Sequence, residues 1–135
     1  MTKDAMEFVR ERGMGPLADT MGLEVLTATA DCVTARMRVE GNTQPLGLLH
    51  GGANVVLAES IASLAANIHA GPGRYAVGVD ISATHLASAT SGYVHAEAKA
   101  LKLGGTIAVY NIEIKNDAGE LTCVSRLTCA IRNRK

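Results

Sequence analysis

The run from Gly51 to His69, GGANVVLAESIASLAANIH, limits what this chain can fold into more than any other stretch. At helical spacing, Ala53, Val55, Val56, Leu57, Ala58, Ile61, Ala62, Leu64, Ala65, Ala66 and Ile68 put apolar or small side chains on nearly every face. A helix that is apolar all round is a buried helix, since none of its faces gains from water. Its only ionisable side chain between Gly51 and Asn67 is Glu59. Glutamates are almost never fully buried unless paired, because burial penalises the charged form and drives the pKa up. A carboxylate on such a helix is expected to have a partner or a task.

The neighbours point to a task. Ser63 lies one turn after Glu59 on the same face. His50, Gly51 and Gly52 stand where the helix begins, so free N–H groups and the positive dipole end face outward there. Such an end can polarise a carbonyl oxygen, and glycine lets a substrate approach that backbone closely. Gln44, upstream of the Pro45-Leu46-Gly47 turn, supplies an amide that can donate to a carbonyl or orient a water. Each residue alone also has a plainer reading. The glycine pair suits a tight turn, Ser63 a bond back to its own helix, His50 a helix cap, and Glu59 a pairing with an arginine. Their convergence on one helix favours acyl transfer: an oxyanion donor, a carboxylate, and groups that place substrate and water.

The rest of the chain supplies the enclosure. Residues 2–12 read as a short amphipathic helix ended by Gly13, packing through Met6, Phe8 and Val9. Met14 to Met21 reads as a connector and Leu23 to Ala30 as a strand. Asp31 to Glu40 alternates, with Val33, Ala35, Met37 and Val39 on one face and Thr34, Arg36, Arg38 and Glu40 on the other. After the Ala70-Gly71-Pro72-Gly73 breaker come four strand candidates: Tyr75–Ala87, Tyr93–Leu103, Thr106–Asn116 and Leu121–Arg132. Gly104-Gly105 and Asn116-Asp117-Ala118-Gly119 are spaced for hairpins. A buried helix followed by hairpin-linked strands implies an α+β domain with a strongly curved antiparallel sheet of five to six strands. One helix cannot cover such a sheet, so a further interface is expected.

Length and charge set limits on partners. At 135 residues the chain is one domain. Thirteen basic residues balance thirteen acidic ones with no basic tract, which disfavours nucleic acid or an anionic membrane as partner. Asn54, Glu59, Ser60, Ser63 and Asn67 argue against the long helix spanning a membrane. The charged stretch MTKDAMEFVRERG lacks an apolar signal core, so a cytoplasmic location is expected. Cys32, Cys123 and Cys129 show no metal-ligand spacing, and Cys123 and Cys129 share a strand face; free thiols and no metal are the expectation.

The spacing of Gln44, His50-Gly51-Gly52, Glu59 and Ser63 resembles the hotdog-fold acyl-CoA thioesterases. Within them it is most similar to the branch of the 4-hydroxybenzoyl-CoA and phenylacetate-pathway enzymes. The string GLLHGGANVVLAESIASLA is particularly similar to the 1,4-dihydroxy-2-naphthoyl-CoA thioesterases and their enterobactin-pathway relatives. The resemblance runs on through VGVDISATHL, ALKLGGT and LTCVSRLTCAIR. It implies a hotdog fold, with a long central helix wrapped by the sheet, and hydrolysis of an acyl-CoA, with an aromatic acyl group favoured and no cofactor beyond the CoA of the substrate. It implies Glu59 as nucleophile or general base, the Gly51 N–H as carbonyl donor, and supporting roles for Gln44, His50 and Ser63. It places the CoA portion near Gly52, Gly78, His85, Leu86, Ala87 and Ser88, along Lys102, Leu103, Gly104, Gly105 and Thr106, and near Arg132. Members often carry arginine where this chain has Ala87, and histidine or arginine at Lys102 and Thr106, so fewer cations are expected on the phosphates. The resemblance also implies a homodimer with sites between subunits, associating further into a homotetramer. A non-catalytic acyl-CoA-binding hotdog protein would have no need of Glu59, and a hotdog hydratase or dehydratase is expected to use a His–Asp arrangement that the sequence does not display.

Overall fold

The alternation in Asp31–Glu40 becomes a strand whose Val33, Ala35 and Met37 are buried, with Val39 buried just beyond its end. The structure, a computed structural model, describes residues 5–135 apart from the Phe8 side chain. Helix α1 (Ala5–Arg12) is followed by α2 (Pro16–Met21), then strands β1 (Leu23–Ala28) and β2 (Cys32–Arg38). The long helix α3 (Gly51–Ala70) precedes β3 (Arg74–His85), β4 (Tyr93–Leu103), β5 (Ile107–Asn116) and β6 (Leu121–Asn133). In α1, Met6 and Val9 are half-buried as expected, while Thr2, Lys3, Asp4 and the Phe8 side chain lie outside the described residues.

The connector expected over Met14–Met21 is instead partly helical. Pro16 suits the first helical position, where its missing N–H is no loss, and Gly22 closes the short helix in the left-handed region at φ 75°.

The six strands form one antiparallel sheet in the order β1-β2-β4-β5-β6-β3. Helix α3 lies against all six of them through Ala53, Leu57, Ala58, Ile61, Ala62, Ala65 and Ala66, all buried. Small residues on this helix let the sheet close around it, and Tyr110, Met37, Ile112, Ile114 and Leu127 fill the space on the sheet side. Register shifts at Val25/Thr27, Ala100/Lys102 and Gly78/Asp80 add the local twist that a wrapped sheet requires. The chain is therefore an α+β fold with a central helix in a curved six-stranded sheet, the arrangement known as the hotdog fold. All three cysteines are free thiols, Cys123 and Cys129 buried and Cys32 half-buried. No helix among the described residues is long and apolar enough to cross a membrane.

Candidate active site

Helix α3 starts at Gly51 because His50 caps it. The His50 backbone is extended, and its Nδ1 accepts the Gly52 N–H at 2.8 Å. With Nδ1 engaged as acceptor, the neutral imidazole carries its proton on Nε2. The Gly51 N–H is the first of the helix and has no intrahelical acceptor, so the helix opens with a free donor at its positive end. Gln44 reaches this end through a tight turn in which the Gly47 N–H donates to the Gln44 carbonyl at 2.9 Å. Its Oε1 accepts the Leu46 N–H, which leaves the NH2 of the same amide as the group available to donate.

A cleft of about 240 Å³ opens here, lined by Gln44, Leu48, Leu49, Gly51, Asn54, His85, Ala87, Ser88, Ala89 and Thr122. The loop after β3 forms one wall and is pinned by backbone bonds. Leu86 and Ala87 donate to the Thr122 carbonyl at 2.8 and 3.3 Å, and Leu49 donates to the Ala89 carbonyl at 2.8 Å. His85, at the end of β3, sits with Nε2 2.9 Å from the point a Gly51 Cβ would occupy. On the other side of its ring, Asn54 Nδ2 approaches Nδ1 at 3.2 Å.

Glu59 and Ser63 lie further along the same helix. Glu59 is eight positions from Gly51, about 12 Å along the axis, and does not line the cleft. Its carboxylate rests on Gly78 of β3, where a Cβ would come within 2.7 Å of Oε2. Gly78 pairs with Cys129 of β6 in register, so the two form a floor beneath the carboxylate. Burial pushes the Cys129 thiol above its ordinary value, the charge of Glu59 pushes it further, and the Ser63 hydroxyl pulls the other way. Cys129 is therefore a neutral thiol beside Glu59 and Ser63, and it adds no second negative charge to the carboxylate.

The remaining sequence-predicted positions form a third group at the far end of α3. The turn from Lys102 through Leu103 to Thr106 is held there by His69 Nε2, which donates to the Gly104 carbonyl at 2.7 Å. Arg74 Nη1 donates to the Gly105 carbonyl at 3.0 Å. Arg132 follows Ile131, whose N–H donates to the Thr106 carbonyl at 2.9 Å. Within one chain, then, Gln44, Gly51, His85, Ala87 and Ser88 share the cleft, with His50 and Gly52 at its edge and Leu86 exposed beside it. Glu59, Ser63 and Gly78 form a second cluster, and Lys102–Thr106 with Arg132 a third. Asn54 counts in the sequence only against a membrane span. Its placement three residues after Gly51, on the same face, is the signal that puts it in the cleft. Cys129 carries no signal of its own, since its proximity to Glu59 arises from strand pairing.

Residues 46–123 match the Thioesterase superfamily. The chain is 41% identical to the 1,4-dihydroxy-2-naphthoyl-CoA hydrolase of Escherichia coli K12 over 130 residues, 96% of each chain. It is 35% identical to a proofreading thioesterase of Cronobacter turicensis over 127 residues, 93% of each chain. The crystal structure of a thioesterase from Haemophilus influenzae superposes with a TM-score of 0.89 at 36% identity, covering 98% of this chain and 93% of that one. Architecture and sequence agree along nearly the whole length, and the chain belongs to the thioesterase superfamily as a hotdog-fold enzyme.

Proposed function

We propose that this protein hydrolyses an acyl-CoA thioester, with an aromatic acyl group preferred, to the carboxylate and free coenzyme A. The observation that carries the reading is the seat of Glu59: a carboxylate on an otherwise apolar helix, resting on a glycine, with a hydroxyl one turn along. Likeness to an enzyme named for 1,4-dihydroxy-2-naphthoyl-CoA hydrolysis supports both the CoA thioester and the aromatic preference.

The thioester carbonyl lies over the start of α3, where the Gly51 N–H donates to its oxygen and His50 Nε2–H or the Gln44 amide assists. Glu59, as carboxylate, either removes a proton from the attacking water or attacks the carbonyl itself to form an anhydride that water then opens. Ser63 holds the water or the carboxylate. The C–S bond breaks, and CoA leaves as its thiol after taking up a proton. No metal or redox step enters. The 12 Å between Gly51 and Glu59 along one helix is too far for both to touch one carbonyl. The working site therefore pairs the Gln44–His50–Gly51 segment of one subunit with the Glu59–Ser63 segment of a second, in a dimer that associates into a tetramer. Lys102–Thr106 and Arg132 serve the nucleotide end of CoA.

Thiol release measured against a panel of aromatic and aliphatic acyl-CoAs tests the reading. Glu59→Ala is expected to lower turnover about 10²- to 10⁴-fold with the fold unchanged. A mutant that turns over near the wild-type rate would remove Glu59 from the chemistry.

A further inference from the structure

Asn54 is buried, lines the cleft, and has an Oδ1 with no hydrogen-bond partner among the described residues. Buried polar atoms are nearly always paired, so an orphan at a candidate site calls for an explanation. Its amide makes one side-chain contact, the 3.2 Å approach of Nδ2 to His85 Nδ1. Two arrangements are chemically possible for this pair. In one, Nδ2 donates to the lone pair of Nδ1, so the imidazole proton sits on Nε2. In the other, the amide is turned, Oδ1 accepts from Nδ1–H, and Nε2 presents a lone pair. The second arrangement pairs the oxygen but strands the NH2 group in the buried position that Oδ1 occupies. Orphaned buried N–H groups are rarer than under-satisfied carbonyl oxygens, and the turned amide would strand two such hydrogens. The first arrangement is therefore the stable one.

We propose that His85 is a second hydrogen-bond donor to the thioester carbonyl, its Nε2–H presented beside the Gly51 N–H and held in that tautomer by Asn54. The proposal deepens the thioesterase reading and rests on it. Nε2 is the ring atom nearest Gly51, at 2.9 Å from a Cβ position there, against 3.3 Å for Cε1. The ring edge that carries the proton therefore faces the Cα of Gly51, the atom bonded to that N–H group. The pair repeats the logic of the neighbouring cap: in His50 too, Nδ1 is engaged as acceptor and Nε2 carries the proton. His85, Asn54 and Gly51 belong to one chain, so this donor set is built before any second subunit is added. In this scheme His85 is a catalytic residue and Asn54 a positioning residue that acts through it.

Nitrogen-15 NMR of the imidazoles of the wild-type protein at neutral pH reads the tautomer directly. The chain has four histidines, and the His85 signals are assigned as those missing from His85→Gln. The expected result is a proton on Nε2 and a bare Nδ1, with the preference lost in Asn54→Leu. In steady-state kinetics, His85→Leu is expected to lower kcat about 10- to 100-fold with little change in KM. His85→Gln, whose amide can donate near the same point, retains more activity than His85→Leu, and Asn54→Leu loses less. Because Asn54 is buried, the wild-type spectrum decides even if Asn54→Leu does not fold. A proton on Nδ1 overturns the proposal, and so does a His85→Leu enzyme changed in KM alone. If the wild-type enzyme released no thiol from any acyl-CoA, the thioesterase reading would fail, while the tautomer in the same sample still decides the Asn54–His85 pair.

Discussion

Two glycines fix the positions of the reactive side chains by the atom they lack. Gly51 leaves room for the His85 imidazole and Gly78 for the Glu59 carboxylate. Gly78 is not in the left-handed region, so alanine suits its backbone, and the entropy lost on folding falls slightly. The added Cβ would stand 2.7 Å from Glu59 Oε2, the far end of a side chain that can swing away. Gly78→Ala is therefore expected to leave thermal stability within about 1 kcal/mol of wild type while lowering kcat about tenfold or more, because the carboxylate moves and the sheet does not. Melting curves and thiol-release kinetics on the same preparation separate the two effects; unchanged kcat would mean that the seat on Gly78 is irrelevant to turnover. Glu59 and Gly51 were legible in the sequence because one is the lone charge on an apolar helix and the other opens it. The Asn54–His85 and Glu59–Gly78 contacts were not, since each joins residues on different elements whose meeting depends on the sheet register.

Among the elements, α3 was legible almost to the residue, because its apolar run is long and is bounded by His50-Gly51 and Gly71-Pro72. The alternation of β2 and the hairpin glycines placed the strands within two residues of their ends. Helix α2 was hidden because six residues hold too few turns for a periodic pattern, and only Pro16 marked its start. The cap of α3 separates two roles that the sequence left open for His50. As a cap, its Nδ1 satisfies the Gly52 N–H, and His50→Ala is expected to destabilise the fold by about 1 kcal/mol. In a chain of this size that is a fall of about 3–6 °C in Tm. His50→Asn keeps a side-chain acceptor at the cap and should restore the Tm. If Asn also restores kcat, His50 acts through the helix; if kcat stays low while Tm recovers, Nε2–H acts on the substrate. A His50→Ala protein with the wild-type Tm would show that the cap contributes nothing measurable.

At the scale of the whole molecule, fold class and enzyme family could be read from the chain, while the assembly could not, because one sequence carries no record of which edges meet. The sheet ends in β3, a twelve-residue strand with Val77 and Val79 exposed beside Gly78, directly over the Glu59 cluster. A second copy brought to this edge would stand next to Glu59 and Ser63, and its own helix start could supply what this chain holds 12 Å away. If the site is shared in this way, neither a Gln44→Ala nor a Glu59→Ala homodimer has an intact site. Mixing the two with subunit exchange gives heterodimers in which one site carries both defects and the other carries none. The intact site takes Gln44, His50 and Gly51 from the Glu59→Ala chain, and Glu59 and Ser63 from the Gln44→Ala chain. With random exchange half of the dimers are mixed and each has one good site of two, so activity should return to about a quarter of wild type if the sites are independent. Exchange is verified by native mass spectrometry of differently labelled subunits, and thiol release is followed as it proceeds. A site confined to one chain gives no rescue at any degree of mixing. Verified exchange without recovered activity, from two parents that are each inactive, would place Gln44 and Glu59 in the same subunit's site.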